Sequence, residues 1–285
     1  MKFYSDLASE LISVNFKTDK KNLEYGCKSE LIKIDSAKKM KFYSKPYGEY
    51  YTLSCENLFY LAPIVTDYLA QELSKYLKEK IYKLTHKKQN KILVACLGNE
   101  NMVCDSLGKE VFKRLITCEQ ALTLNKIYAI NPSVYGKTNI KSSEHIQAIT
   151  DKIKPDICII IDALCTQSIS RIASCVQVCD SGIMAGGAVN RSSASLLNKK
   201  SLGVPTLCIG IPLVIRIESL FNDFICNLTS DCNFDEDEYY FKFKNVIVAP
   251  KNIDALVNQC AILLSRALNS ALLGFNKKEQ ELLNV

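Results

Sequence analysis

Three stretches of this chain are so uniformly apolar that they leave few choices of architecture. Residues 92–97 read Ile-Leu-Val-Ala-Cys-Leu, residues 157–161 read Ile-Cys-Ile-Ile-Ile, and residues 205–211 read Pro-Thr-Leu-Cys-Ile-Gly-Ile. Strands apolar at every position are buried on both faces, as in the middle of a parallel sheet. Between them the periodicity turns helical: residues 107–118, 142–153 and 253–273 are predicted helices, and Val65, Leu69, Leu73, Leu77 and Ile81 mark another over 62–84. Residues 50–53, 126–130 and 175–179 read as further strands, 168–172 as a short helix and 213–228 as a helical stretch. Repeated strand–helix alternation predicts an α/β three-layer sandwich, a mostly parallel sheet with helices on both faces. No linker divides the chain, so a single domain is expected. The first forty residues are polar and weakly periodic. They are expected to form a loose arm with one short helix near 5–12.

With 285 residues, 48% of them hydrophobic, the chain has ample material for a large core. The net charge of +6 is spread over short lysine pairs and reads as solvated surface, not as a nucleic-acid face. The start of the chain has no signal-peptide h-region, and no apolar run is expected to cross a membrane. Thirteen cysteines, an odd number with no secretory signal, point to reduced thiols in a cytosolic compartment. Most lie in apolar segments and read as small hydrophobes. There is no C-x-x-C pair, and His86 and His145 are the only histidines, so neither a metal site nor a cofactor is expected.

Two aspartates follow the apolar strands. Asp162 is expected to end the strand 157–161, and Asp105 lies in the loop after 92–97. In open α/β sheets ligands bind at the carboxyl ends of strands. Two carboxylates meeting there can share a proton and work as acid and base. Each also has a plainer reading as an N-cap of the helix that follows. Asn99 and Asn101 either orient Asp105 or make a turn. Residues 180–191, Asp-Ser-Gly-Ile-Met-Ala-Gly-Gly-Ala-Val-Asn-Arg, form a Gly-rich loop whose N–H groups, around Gly182, Gly186 and Gly187, can approach a ligand or an oxyanion. Cys104 and Cys165 adjoin the aspartates but have no histidine nearby in sequence, which disfavours a thiol nucleophile.

Taken in order, these segments resemble the germination protease family, the endopeptidases that degrade small acid-soluble spore proteins. Residues 45–52, Lys-Pro-Tyr-Gly-Glu-Tyr-Tyr-Thr, resemble its G-K-P-x-G-x-Y-x-T stretch. Leu97-Gly98-Asn99 with Asp105-Ser106-Leu107-Gly108 resembles G-L-G-N-x-x-x-T-P-D-A-L-G-P. Residues 154–164 resemble K-P-D-x-x-I-x-I-D-A-L-A, and 203–212 resemble L-G-I-P-V-I-A-I-G-V-P. The resemblance spans nearly the whole chain. It implies an atypical aspartic endopeptidase with Asp105 and Asp162 as catalytic residues; Asn99, Asn101, Asp180, Gly182, Gly186 and Gly187 are the candidate supporting or substrate-binding residues beside them. It also implies a fold similar to hydrogenase-maturation proteases, a homotetramer, and a precursor that trims its own N-terminus, with residues 1–15 as the removable segment. The family's loop D-T-G-I-H-P-G-S-G-V-G-N-x-R departs here: Met184 replaces its His and Ala185 its Pro. A non-catalytic homologue that binds spore proteins or an active protease subunit is therefore the alternative.

Overall fold

The computed structural model describes residues 5–11, 16–56, 62–117, 125–185, 195–228 and 246–282. After an irregular segment at 5–11, the chain forms β1 (Asp19–Asn22), β2 (Lys28–Ile34), α1 (Ala37–Tyr43) and β3 (Gly48–Ser54). Next come α2 (Pro63–Thr85), β4 (Lys91–Cys96), α3 (Leu107–Phe112), β5 (Lys126–Ile130), α4 (Tyr135–Thr138) and α5 (Ser142–Ile153). The centre is β6 (Ile157–Thr166) and β7 (Cys175–Cys179), followed by the hairpin β8 (Ile183–Ala185) and β9 (Ser195–Leu197) and by α6 (Lys199–Leu202). The chain continues through β10 (Thr206–Arg216), α7 (Ile217–Leu228), β11 (Ile247–Val248), α8 (Ile253–Leu273) and α9 (Lys277–Leu282).

Among the described residues nine strands make one mixed sheet in the order β1-β2-β3-β7-β10-β6-β4-β5, with β11 added to β10. The half β10-β6-β4-β5 is parallel, as the apolar runs predict, and β1, β2, β3 and β7 extend it antiparallel. Helices cover both faces. Leu69, Leu73 and Leu77 of α2, Leu107 of α3 and Leu264 and Leu268 of α8 pack on one. Tyr43 of α1, Ile146 of α5 and Leu202 of α6 pack on the other. By length and composition α8 is long and apolar enough to cross a membrane, against expectation, but most of it is buried in the core.

Several local expectations are corrected. The described part of the first forty residues is not a loose arm. β2 pairs with β3 along its whole length and buries Ile32 and Ile34 beside Tyr43 and Tyr50. Residues 5–11 contain no helix, because their polar groups bond to β6 and β7 instead. α3 stops at Phe112. β6 does not end at Asp162. Its pairing with β10 continues to Thr166, and all ten of its residues are buried. β10 likewise runs through Pro212, where a register shift before Val214 absorbs the residue that lacks an N–H.

Lys80 of α2 is the one lysine buried among the described residues, at 4% exposure. Its ammonium donates to Glu49 at 2.6 Å and to Asp180 at 2.7 Å. Burial works to raise the Glu49 carboxyl, and the ammonium groups of Lys80 and Lys83 overcome it, holding it at about 2. Removing the cation leaves two half-buried carboxylates side by side. Lys80→Met is expected to cost about 3 kcal/mol at pH 7 in urea unfolding. Glu49's folded value is depressed, so this difference is full above the ordinary 4.5 and closes as the pH falls towards 2.

Candidate active site

β4 and β6 run side by side only as far as the pair Cys96–Ile161. The Leu97 N–H makes one more bond to the Ile161 carbonyl at 2.8 Å, and the chain then turns at Gly98, whose φ is 123°. A Cβ on Gly98 would lie 1.9 Å from the Asp105 carbonyl, so only glycine lets the returning loop close. β6 therefore continues past its neighbour, and Asp162 is the first residue beyond the last shared rung. The loop 99–105 lies over this flank and brings Asp105 to it.

Asp162 is 7% exposed, and its carboxylate accepts the Ala163 N–H at 2.9 Å. Burial pushes its carboxyl well above the usual range. The negative charges of Asp105 and then Asp6 push the same way, and the Ala163 N–H opposes them. Asp105 is half-buried and accepts the Asn99 N–H at 2.8 Å. Burial raises it to about 6 against that hydrogen bond. The N-cap reading of Asp105 gains no support: the cap position of α3 is Ser106, and no side chain bonds there. Two carboxyls with raised values, close enough to feel each other's charge, can hold one proton between them near neutral pH.

The supporting residues divide. Asn99 orients Asp105 through its backbone N–H, while its side chain turns back to accept the Asn101 N–H at 3.1 Å. Asn101 is exposed and serves that turn. Asp180 does not face the pair: its two oxygens are taken by the Glu49 N–H at 2.8 Å and by Lys80, and it anchors the corner between β3 and β7. Gly182, with φ 105°, lets that corner pass within van der Waals reach of Leu197 and Asn198. Gly186 and Gly187 lie outside the described residues. The thiols of Cys104 and Cys165 are buried beside Val214. Burial pushes Cys165 up to about 12, and both histidines are exposed elsewhere. Among the described residues no three His, Cys, Asp or Glu side chains gather to hold a metal.

Sequence reasoning missed what lies against the pair. Residues 5–11 run across the same face of the sheet. Asp6 exchanges two bonds with Cys165, its N–H to the Cys165 carbonyl and its carboxylate from the Cys165 N–H, both at 2.8 Å. Leu7 packs on Leu164, Cys175 and Ile183, and Ala8 is fully buried. The Glu10 carboxylate accepts from Thr166, Gln167 and Ser168, and Lys45 donates to the Ser5 carbonyl. Beside Asp6 a cavity of about 170 Å³ is lined by Lys45, Tyr50, Gln177, Met184 and Gly210.

Residues 5–232 match the model of a peptidase family described as germination protease. The chain belongs to that family. It is 28% identical to the germination protease of Caldanaerobacter subterraneus subsp. tengcongensis, covering 90% of this chain and 88% of that one. It is 32% identical to the germination protease of Bacillus cereus over 72% of this chain and 58% of that one. Among solved structures, a NiFe hydrogenase maturation protease HycI from Thermococcus kodakarensis aligns with 68% of this chain and 99% of its own, at 16% identity and a TM-score of 0.37.

Because the folded protein holds protons that the unfolded chain releases, the Asp105 carboxyl lowers stability as the pH rises from about 4 to about 6. Asp105→Asn keeps the acceptor for Asn99 and removes the charge. It is expected to stabilise the protein by about 1–2 kcal/mol at pH 7, a figure discounted for a partly exposed group, and to change little at pH 3.5. Urea titrations at the two pH values measure this.

Proposed function

We propose that this germination protease family member is an endopeptidase acting on small acid-soluble spore proteins during germination, with Asp105 and Asp162 as its catalytic pair. The observation that carries this reading is the pair itself. Two carboxyls, both pushed up by burial, meet where β6 outruns β4. One, ionised, takes a proton from a water as it attacks the scissile carbonyl. The other, protonated, polarises that carbonyl and then passes its proton to the leaving amine. The proton belongs to the pair, so neither carboxyl is assigned a fixed role. No metal or cofactor enters this scheme.

Residues 1–15 are proposed as a removable pro-segment. Their described part, 5–11, is bonded to β6 and β7 on the face that carries Asp162, where a substrate must lie. Cytoplasmic location in the spore core or forespore, and assembly as a homotetramer, complete the proposal. Sedimentation analysis tests the assembly.

The experiment is cleavage of a purified small acid-soluble spore protein, followed by gel and mass spectrometry, with the full-length chain and a form lacking the first dozen or so residues. Discrete products are expected, formed at least roughly tenfold faster without the segment. Asp105→Asn and Asp162→Asn are each expected to lower the rate by about a thousandfold. Undiminished cleavage by both variants removes the mechanism. The departure at Met184, exposed on β8 where the family carries His, supports a second reading, a non-catalytic binder of spore proteins or of an active subunit. Binding without any cleavage by either form favours it.

A further inference from the structure

Gln177 is the polar side chain in the middle of β7, a strand whose five residues are all buried. It stands in a row across the sheet. Asp162 of β6 is in register with Gly210 of β10, and Gly210 with Gln177. Residues in register project from the same face. Gly210 contributes no side chain, and the Leu164 side chain occupies the space above it; Leu164, Gly210 and Gln177 line the cavity beside Asp6.

Both polar atoms of the Gln177 amide bond to main chain. Its Oε1 accepts the Ala8 N–H at 2.8 Å, and its Nε2 donates to the Asp6 carbonyl at 2.9 Å. These are the carbonyl before Leu7 and the N–H after it. A residue in a parallel β-bridge makes the same two bonds to its partner. The carboxamide thus stands in for one rung of a parallel strand. On the other flank the rung is completed by Cys165 of β6, whose carbonyl takes the Asp6 N–H at 2.8 Å. The segment is held as a strand in transit across the sheet, with the side chain between the two amide bonds, Leu7, turned into the apolar recess of Leu164, Cys175 and Ile183.

We propose that Gln177 is the main-chain clamp of the substrate groove: it grips any extended polypeptide that crosses the Asp162 face by the carbonyl before, and the N–H after, one residue seated in that recess. This rests on the endopeptidase reading above. Both contacts are to backbone, so the clamp selects for an extended peptide and is indifferent to sequence, which leaves side-chain choice to the recess and to the flanks. The chain's own residues 6–8 show how the groove is filled.

The test uses the full-length chain with Leu7→Lys and Ala8→Arg, which place charge in buried positions and expel the segment. Amide hydrogen exchange at residues 6–8 verifies the release. On this background Gln177→Met keeps the volume and removes both hydrogen bonds. The clamp is made equally in the bound substrate and in the transition state. Cleavage of a small acid-soluble spore protein is therefore expected to show KM raised about tenfold and kcat unchanged. In the otherwise native chain, Gln177→Met is expected to speed exchange of the Ala8 amide by a similar factor. Unchanged KM on the expelled background, with faster Ala8 exchange in the native chain, overturns the proposal and makes Gln177 a clasp for the chain's own terminus alone. A kcat loss without a KM change also overturns it, since that is what misplacement of the sheet around Asp162 produces. If the expelled form and the native chain both fail to cleave while folded, the endopeptidase reading has failed, and the clamp falls with it. Activity with unaltered parameters in Gln177→Met sinks the clamp alone.

Discussion

The structure depends on a mismatch in strand length. β6 is ten residues long, β4 is six, and the two share rungs only up to Ile161. A buried strand must satisfy its backbone on both sides. On one side β10 pairs with β6 to Thr166, with a bulge where Pro212 has no N–H to give. On the other, beyond Leu97, the loop 99–105 and the N-terminal segment take over. The carboxylate of Asp162 is placed where regular pairing stops, and its companion arrives on the loop that fills the gap. Without that overhang the two acids would have no reason to meet.

Much of this arrangement was legible in the residues, for reasons that can be named. Continuous apolar runs mark β4, β6 and β10 because strands buried on both faces tolerate little else. The helical stripe of α2, from Val65 to Ile81, appears as predicted because one face alone is buried. Asp162 stood out as a charge inside apolar sequence and Asp105 as one in the loop after an apolar strand, and the structure places them near enough to feel each other's charge. The end of β6 was misjudged because an acid inside a strand looks like a stop. Ala163, Leu164 and Cys165 continue the apolar pattern past it, and only the pairing with β10 shows that the strand goes on.

The N-terminal region was illegible for a different reason. β1 is exposed throughout, and β2 alternates imperfectly, so neither carries a strong period. Residues 5–11 have short apolar and acidic side chains that suit a helix as well as a groove, and their conformation is set by partners more than 150 residues away. Gln177 did leave a trace: a carboxamide at the centre of Cys-Val-Gln-Val-Cys, where every neighbour is apolar. Buried polar groups must be satisfied, and such a residue on an otherwise dry strand marks a place where another chain segment arrives. Asp180, expected to be a supporting or substrate-binding residue, is instead spent on Lys80 and the Glu49 N–H at the corner between β3 and β7.

The segment at 5–11 is covalently part of the molecule whose groove it fills, and that tether has a thermodynamic consequence. Being part of the same chain, the segment meets its site at an effective concentration, in the millimolar range for a short link, and not at the concentration of a free peptide. A handful of hydrogen bonds and one seated leucine are then enough for nearly full occupancy, although the same peptide free in solution would bind weakly. Severing the tether alters no contact in the groove. If residues 1–15 are removed as proposed, dilution replaces a fixed local concentration, and one covalent cut empties the site.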